Sequence, residues 1–275
     1  MTDQAKDDAP SDDASRDDAS RDPQVPVTTS PVATGTSLRK AGMAGAVMRW
    51  ANLSGADLSE ANLAKADMSG AVLTGTDLSQ ANLSRTDMRW SNLVSTNLVG
   101  ANLIRADLTG SVMTGARLVK ANLTRANLSK ADLAARVDED GDSPQPTDLT
   151  DANLSAANLS AAKLTDALMS RTVLSRAKMA EANLERASMA AVVADRAVMA
   201  KAVMTDVDLT GAVLTSANLA GANLGSANLA NAKASGANLS GANLAGANLL
   251  GADLSGANLA GANLSGTNLS GANLS

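Results

Sequence analysis

The chain repeats itself every five residues. Leu or Met recurs at every fifth position, as at Leu53, Leu58, Leu63 and Met68, and the repeat continues to Leu274. Residues five apart lie about 140° apart around an α-helix and on opposite faces of a straight strand, so neither element could bury these side chains together. A backbone that turns a corner every five residues can aim all of them at one axis.

Each five-residue unit has one small and one large apolar residue. In the unit that starts at Ala101, period-two alternation places Ala101 and Leu103 on the same side, which is therefore the inside. The outward positions hold mostly Asn, Asp, Ser, Thr, Gly, Lys and Arg, which suit turns and solvent. Four such units, or 20 residues, predict one coil of a square-sectioned solenoid.

Units that read Ala-Asn-Leu-Ser-Gly or Ala-Asp-Leu-Ser-x resemble the pentapeptide repeat proteins, over roughly residues 36–135 and 147–275. The resemblance implies an all-β fold, a right-handed quadrilateral parallel β-helix, which here has about 11 coils. One departure concerns the central position, where the family often uses Phe. This chain has no Phe, and Met shares the role with Leu.

Composition divides the chain into four segments. Residues 1–35 hold eight Asp against three bases and few bulky apolar residues, which predicts a disordered acidic tail. Residues 136–146 are acidic, contain two Pro and interrupt the repeat, which predicts an exposed loop. The solenoid tracts are 36–135 and 147–275. Because Leu133 and Leu149 lie 16 residues apart, one more than three units, the second tract is expected to start in a shifted phase.

A 20-residue coil converts the sequence into a map of the surface. Four basic residues share one register and predict a basic ladder in the first tract: Lys65, Arg85, Arg105 and Arg125. Asp67, Asp87 and Asp107 stack beside them. This surface is either solvated and partly self-neutralising, or an anion-binding edge whose nearest anion is the acidic tail of the same chain.

Two tryptophans lie 40 residues apart and so fall on one side of the solenoid, two coils apart. Trp50 and Trp90 occupy outward positions, and each follows an arginine, Arg49 or Arg89. Exposed Trp beside Arg is typical of binding hot spots. The alternative is a chance surface placement.

Two further features are candidate contacts with a partner. Val173, Val193 and Val213 stack at an outward position and form an apolar strip, which either packs between coils or meets a partner. The interrupting loop contributes four acidic residues: Asp138, Glu139, Asp140 and Asp142.

The residue types that usually carry chemistry are missing. The sequence has no His, Cys or Tyr, and its Ser, Thr and Gly follow the repeat rather than cluster. We therefore predict no catalytic, cofactor-binding or metal site, and no enzyme. No apolar run is long enough to span a membrane and no signal pattern opens the chain, which predicts a cytoplasmic protein.

These observations predict a non-catalytic, protein-binding rod that organises other proteins. The alternative implied by the family is a DNA mimic that acts on DNA gyrase or topoisomerase IV and protects them from fluoroquinolones or other poisons, with the acidic loop as a contact. Duplex DNA carries one negative charge per about 1.7 Å, whereas residues 36–135 hold seven acids against eleven bases, which argues against simple mimicry. The same tract lacks clustered aromatics, which argues against direct binding of nucleic acid. The open last coil, at Leu274, predicts a homodimer formed end to end, a mode seen in the family.

Overall fold

The computed structural model describes residues 33–137 and 144–275. Within these residues there is no helix, and each five-residue unit contributes one isolated β-bridge rather than a longer strand. The bridges are parallel and join residues 20 apart, as in Asn52–Val72 and Val72–Asn92. A coil therefore comprises four five-residue sides, as the repeat predicts.

Three backbone hydrogen bonds per unit join successive coils. Leu53 N–H donates to Val72 O at 2.8 Å, and Val72 N–H donates back to Ala51 O at 2.9 Å. At the corner, Gly55 N–H donates to Thr74 O at 2.9 Å. The same three bonds recur around the coil, so the buried backbone is satisfied although no strand is longer than one bridge.

Each side ends in a tight turn closed by its own backbone. Ala56 N–H donates to Leu53 O at 3.0 Å, and the third residue of the turn, Gly55, has φ +64°. A positive φ at this place is typical of a type II turn and favours glycine. The outward Asn52 helps, since its Oδ1 accepts from Ser54 N–H at 3.1 Å.

The central Leu and Met side chains fill the column, and the small residues two positions earlier line it. From Leu53 to Leu254 each central side chain is at most 3% exposed, as Leu103 and Leu244 illustrate. Burying a side chain of this size contributes roughly 1.5–3 kcal/mol. The predicted inward pair of small and large residues is confirmed.

The four sides are numbered here in chain order. Side 1 is centred on Leu38, side 2 on Met43, side 3 on Met48 and side 4 on Leu53, and the same numbers apply to residues stacked on them. Each corner is named by the sides it joins. Parallel coils lie about 4.8 Å apart, so the 11 or 12 coils extend over about 55 Å.

The interruption leaves the stack intact. Arg117 pairs with Asp148 and Asp132 pairs with Lys163, at a spacing of 31 rather than 20 residues. Eleven extra residues are therefore inserted at corner 4–1, and every later residue keeps the side that an uninterrupted repeat would give it. The shifted phase exists in the sequence alone, because the insert absorbs it.

The insert is pinched off at its base. Arg136 and Gln145 exchange two backbone hydrogen bonds of 2.7 Å, and Arg136 Nη1 donates to Ser95 Oγ at 3.2 Å. Thr147, buried, then resumes the column by donating from its Oγ1 to Met113 O at 3.0 Å. The acidic residues predicted for the loop, Asp138 to Asp142, lie outside the described residues.

The predicted tail boundary at residue 35 is wrong by a few residues. Ala33 N–H donates to Asn52 O at 3.0 Å and Gly35 N–H donates to Ser54 O at 3.1 Å, which are the bonds of a regular coil. The solenoid thus already includes residues 33–35. The predicted disorder of the preceding residues falls outside the described part of the chain.

Candidate protein-binding surface

The two tryptophans stand at corner 3–4 in the left-handed backbone region, each with φ 58°. The next coil places Gly70 and Gly110 at the same corner, and each indole lies across that glycine. A Cβ on Gly70 would lie 2.1 Å from Trp50 Cε3, and one on Gly110 would lie 2.1 Å from Trp90 Cζ3. The inner face of each ring is thereby packed, while Trp50 stays 40% and Trp90 62% exposed.

The arginine before each tryptophan is held by an aspartate of side 3. Arg49 Nε pairs with Asp67 Oδ2, and Arg89 donates to both oxygens of Asp87, at 2.9 Å from Nε and 2.6 Å from Nη2. Arg89 Nε also lies 3.9 Å from Asp107 Oδ2. The predicted cluster of Trp and Arg therefore exists, with both residue types fixed in place.

These contacts shift the titration of the aspartates. The hydrogen bonds from Arg89 lower the pKa of Asp87 below its usual value, and the Asp87 carboxylate raises the pKa of Arg89. Partial burial raises the pKa of Asp67, but hydrogen bonds from Arg49 and Ser69 outweigh it and leave that pKa lowered. Both carboxylates are ionised at neutral pH.

The predicted basic ladder lies at corner 2–3, where Lys65, Arg85, Arg105 and Arg125 are all exposed. Their backbone has φ between 58° and 61°, so the four side chains leave equivalent corners in the same direction. None makes an ion pair or side-chain hydrogen bond with another described residue.

The self-neutralising interpretation of this surface is therefore wrong. Asp67, Asp87 and Asp107 lie two residues beyond the ladder, yet their ion pairs are with Arg49 and Arg89 on the opposite border of side 3. The acidic row serves the tryptophan border, and the ladder keeps its positive charge.

Because the insert preserves the sides, the ladder continues beyond it. The 31-residue step leads from Arg125 to Ala156, and 20-residue steps lead on to Arg176 and Arg196. Both arginines are exposed, with φ 59° and 54°, and neither has an ion pair within the described ranges. The basic edge is hereafter this full set: Lys65, Arg85, Arg105, Arg125, Arg176 and Arg196.

The other predicted contacts lie elsewhere. Val173, Val193 and Val213 bridge to one another on side 2 and are partly buried between coils, next to the later part of the basic edge. The base of the acidic loop lies at corner 4–1, diagonally opposite the basic edge. The structure thus brings the Trp and Arg residues and the ladder to the two borders of side 3, and separates them from the loop.

Sequence reasoning missed two features that the 20-residue register contains. Trp50 with Gly70 and Trp90 with Gly110 are each one coil apart, which is the signal for the stacked indoles. Arg176 and Arg196 were missed because the 16-residue gap was interpreted as three units plus one residue rather than as one unit plus eleven.

The family of the chain follows from its match to known repeats. The sequence model described as Pentapeptide repeats matches residues 51–89, 96–134 and 147–190, and overlapping copies of it match residues 195–275. The chain is a pentapeptide repeat protein. Its family is generally non-catalytic, and its solved structures share the β-helical solenoid described above.

Among solved pentapeptide repeat structures, HetL from the cyanobacterium Nostoc sp. strain PCC 7120 is 32% identical, with a TM-score of 0.55. The alignment covers 88% of this chain and 86% of HetL, a protein involved in the regulation of heterocyst differentiation. QnrB1, a plasmid-mediated fluoroquinolone resistance protein, is 18% identical over 72% of this chain and 88% of its own, with a TM-score of 0.39. No protein of curated function matches the chain.

Further searches of the described residues of this pentapeptide repeat protein add no chemistry. No group of three or more Asp or Glu side chains there could hold a metal ion. No helix of those residues could cross a membrane. The cytoplasmic location stays a prediction.

Proposed function

We propose that the protein is a non-catalytic, protein-binding rod, and that its partner docks on the border formed by Trp50, Trp90, Arg49 and Arg89. The observation that carries the proposal is the fixed pair of exposed indoles, each with an ion-paired arginine beside it. Trp and Arg are the residue types most enriched at binding hot spots.

The rigidity of this border supports a role in binding. Each indole rests on a glycine of the next coil and each arginine is held by a carboxylate, so little side-chain entropy is lost when a partner binds. The left-handed backbone costs roughly 1–2 kcal/mol for a residue with a side chain, and the solenoid core does not need Trp at these corners. HetL, similar over most of its length, acts in regulation, which is the kind of role that a binding rod would serve here.

The alternative, modulation of a type II topoisomerase by DNA mimicry, receives no support from the charges. A phosphate-like row would need unpaired carboxylates, whereas Asp67 and Asp87 are ion-paired with arginines. The direct check is a gyrase supercoiling reaction with and without a fluoroquinolone. Inhibition or protection at micromolar protein would favour the alternative over the rod.

The experiment that tests the rod uses the glycines beneath the rings. Gly110→Ala displaces the Trp90 indole without changing it, since the new Cβ would lie 2.1 Å from the ring. Gly75→Ala is the matched control, because Gly75 has φ +64°, similar to the φ +63° of Gly110, and nothing within 4 Å of the new Cβ. Wild-type protein and both variants are used to capture partners from a lysate of the source organism, with quantitative mass spectrometry.

We expect one set of proteins to be captured by the wild type and Gly75→Ala, weakened by Gly110→Ala and lost with Trp90→Ala. Trp90→Ala should leave the melting temperature nearly unchanged, since the indole lies outside the core. Equal capture by all four proteins would refute the proposed border. A large drop in the melting temperature of Trp90→Ala would make the tryptophan a structural residue instead.

A further inference from the structure

The basic edge is a straight row of like charges with no partner among the described residues. Its six cations stand at corner 2–3 of seven successive coils, with Ala156 as the one gap. At about 4.8 Å per coil, the row extends over about 29 Å. Like charges in such a row repel one another, and an anion that lies along the row relieves that repulsion.

The side chains of the row cannot be satisfied from within the solenoid. The nearest carboxylates, Asp67, Asp87 and Asp107, are held by Arg49 and Arg89 on the far border of side 3. On the other flank, side 2 contributes neutral residues through most of its length, from Asn62 to Val213. The row therefore fits an extended polyanion and not an isolated acidic group.

We propose that the basic edge binds the acidic N-terminal segment of the same chain, residues 1–32. This segment holds all eight of its Asp within residues 3–22 and carries a net charge of −5. The proposal is independent of the proposed function, because the tryptophan border lies at a different corner.

The spacing of charges in the segment matches the length of the row. Asp pairs recur every five residues, at Asp7–Asp8, Asp12–Asp13 and Asp17–Asp18. An extended chain rises about 3.1 Å per residue, so the outer pairs lie about 31 Å apart, against about 29 Å for the row. The 15 residues between Asp18 and Ala33 can extend to about 50 Å, so the connection is long enough.

Covalent linkage favours this occupant over a separate one. Exposed ion pairs are individually weak, so a free acidic peptide would bind the row poorly at physiological salt. A segment tied to the same chain is present at a local concentration in the millimolar range. Another anion must therefore displace the segment, which makes the edge self-covering.

The test maps the position of the segment in the full chain. Because the sequence has no Cys, Ser15→Cys attaches a single nitroxide label to the acidic segment. Paramagnetic broadening of backbone amides is then measured by NMR at 0.01 M and 1 M salt, where the screening length falls from about 30 Å to about 3 Å. Two labelled variants serve as comparisons, one with the three Asp pairs changed to Asn and one with Arg85→Gln, Arg105→Gln and Arg125→Gln. Gln80 already adopts the same left-handed conformation, with φ 57°, so Gln is tolerated at such corners.

At low salt we expect the strongest broadening along corner 2–3, with a decrease toward corner 4–1. High salt, the Asn variant and the Gln variant should each reduce the broadening at corner 2–3 about threefold or more. Broadening that is uniform around the coil, or unchanged in either variant, overturns the proposal. So does a chain in which an added single-stranded oligonucleotide or acidic peptide binds the basic edge equally well with and without the three Asp pairs.

Discussion

At the scale of single residues, the buried hydroxyls at the small inward position differ in one informative way. Ser91 Oγ donates to Met88 O at 2.7 Å, and most of the buried threonines make an equivalent bond to a carbonyl. Ser111 Oγ is buried and has no hydrogen-bond partner in the described part of the chain. The two serines occupy successive coils of the same side, so they form a natural matched pair.

We expect Ser111→Ala to raise the free energy of unfolding by up to about 1 kcal/mol, because it removes an unsatisfied polar group. Ser91→Ala should lower it by about 1 kcal/mol, because a made bond is lost and the Met88 carbonyl keeps one acceptor site unfilled. Urea denaturation of both variants measures the difference. Equal effects would show that Ser111 has a partner after all.

The ion pair beside Trp90 gives a second prediction at this scale. Arg89 lowers the pKa of Asp87, so the charged pair is complete above the ordinary Asp pKa of about 3.9 and its stabilisation is lost as the pH falls through the lowered value. Arg89→Gln should raise the pKa of Asp87 toward its ordinary value, measured from the carboxyl carbon shift by NMR. Arg105→Gln is the control, since Arg105 has no ion pair with a described residue. An unchanged Asp87 pKa in Arg89→Gln would contradict the assignment.

At the scale of elements, the repeat predicted most of what the structure shows. Leu103 could be placed inside from alternation alone, and the 20-residue coil from the need to turn at every unit. The left-handed corners were not predicted, because Trp50 and Arg85 adopt there a φ that their side chains disfavour, at the demand of the turn. The path through the insert was also beyond the sequence, since a 16-residue gap fits more than one combination of units and extra residues.

The insert itself is expected to be dispensable for folding. Removal of residues 136–146 joins Ala135 to Thr147 and places Leu149 five residues after Leu133, which restores the repeat. Ala135 would then occupy a left-handed corner, as Ala156 does with φ 55°. We expect an unchanged circular dichroism spectrum and a melting temperature within a few degrees of the wild type, because long surface loops add little to stability. Loss of the cooperative transition would mean that the pinch at Arg136 and Gln145 stabilises the junction.

At the scale of the whole molecule, a residue's side is set by its position within a 20-residue period. Side-chain amides follow the same period, as in the bonds from Asn243 Nδ2 to Asn223 Oδ1 at 2.9 Å and from Asn263 Nδ2 to Asn243 Oδ1 at 3.1 Å. The predicted axial hydrogen bonding of stacked Asn is thereby confirmed. Deletions of whole and half coils should consequently have very different effects on the surface and similar effects on the fold.

Removal of residues 149–168, one full coil, joins Asp148 to Met169 and closes the gap at Ala156 in the basic edge. Removal of residues 149–158, half a coil, moves Arg176 and Arg196 to corner 4–1. Both proteins should fold, as judged by circular dichroism. In the labelled Ser15→Cys background, only the half-coil deletion should reduce the broadening at corner 2–3. The opposite order would refute a continuous six-cation edge.

The stacked indoles have a practical consequence. Trp50 and Trp90 are the only tryptophans in the chain, and there is no tyrosine. All of the protein's near-ultraviolet emission therefore comes from one corner of one end of the column, and the untouched polypeptide carries its own optical probe at the surface where a partner is proposed to dock.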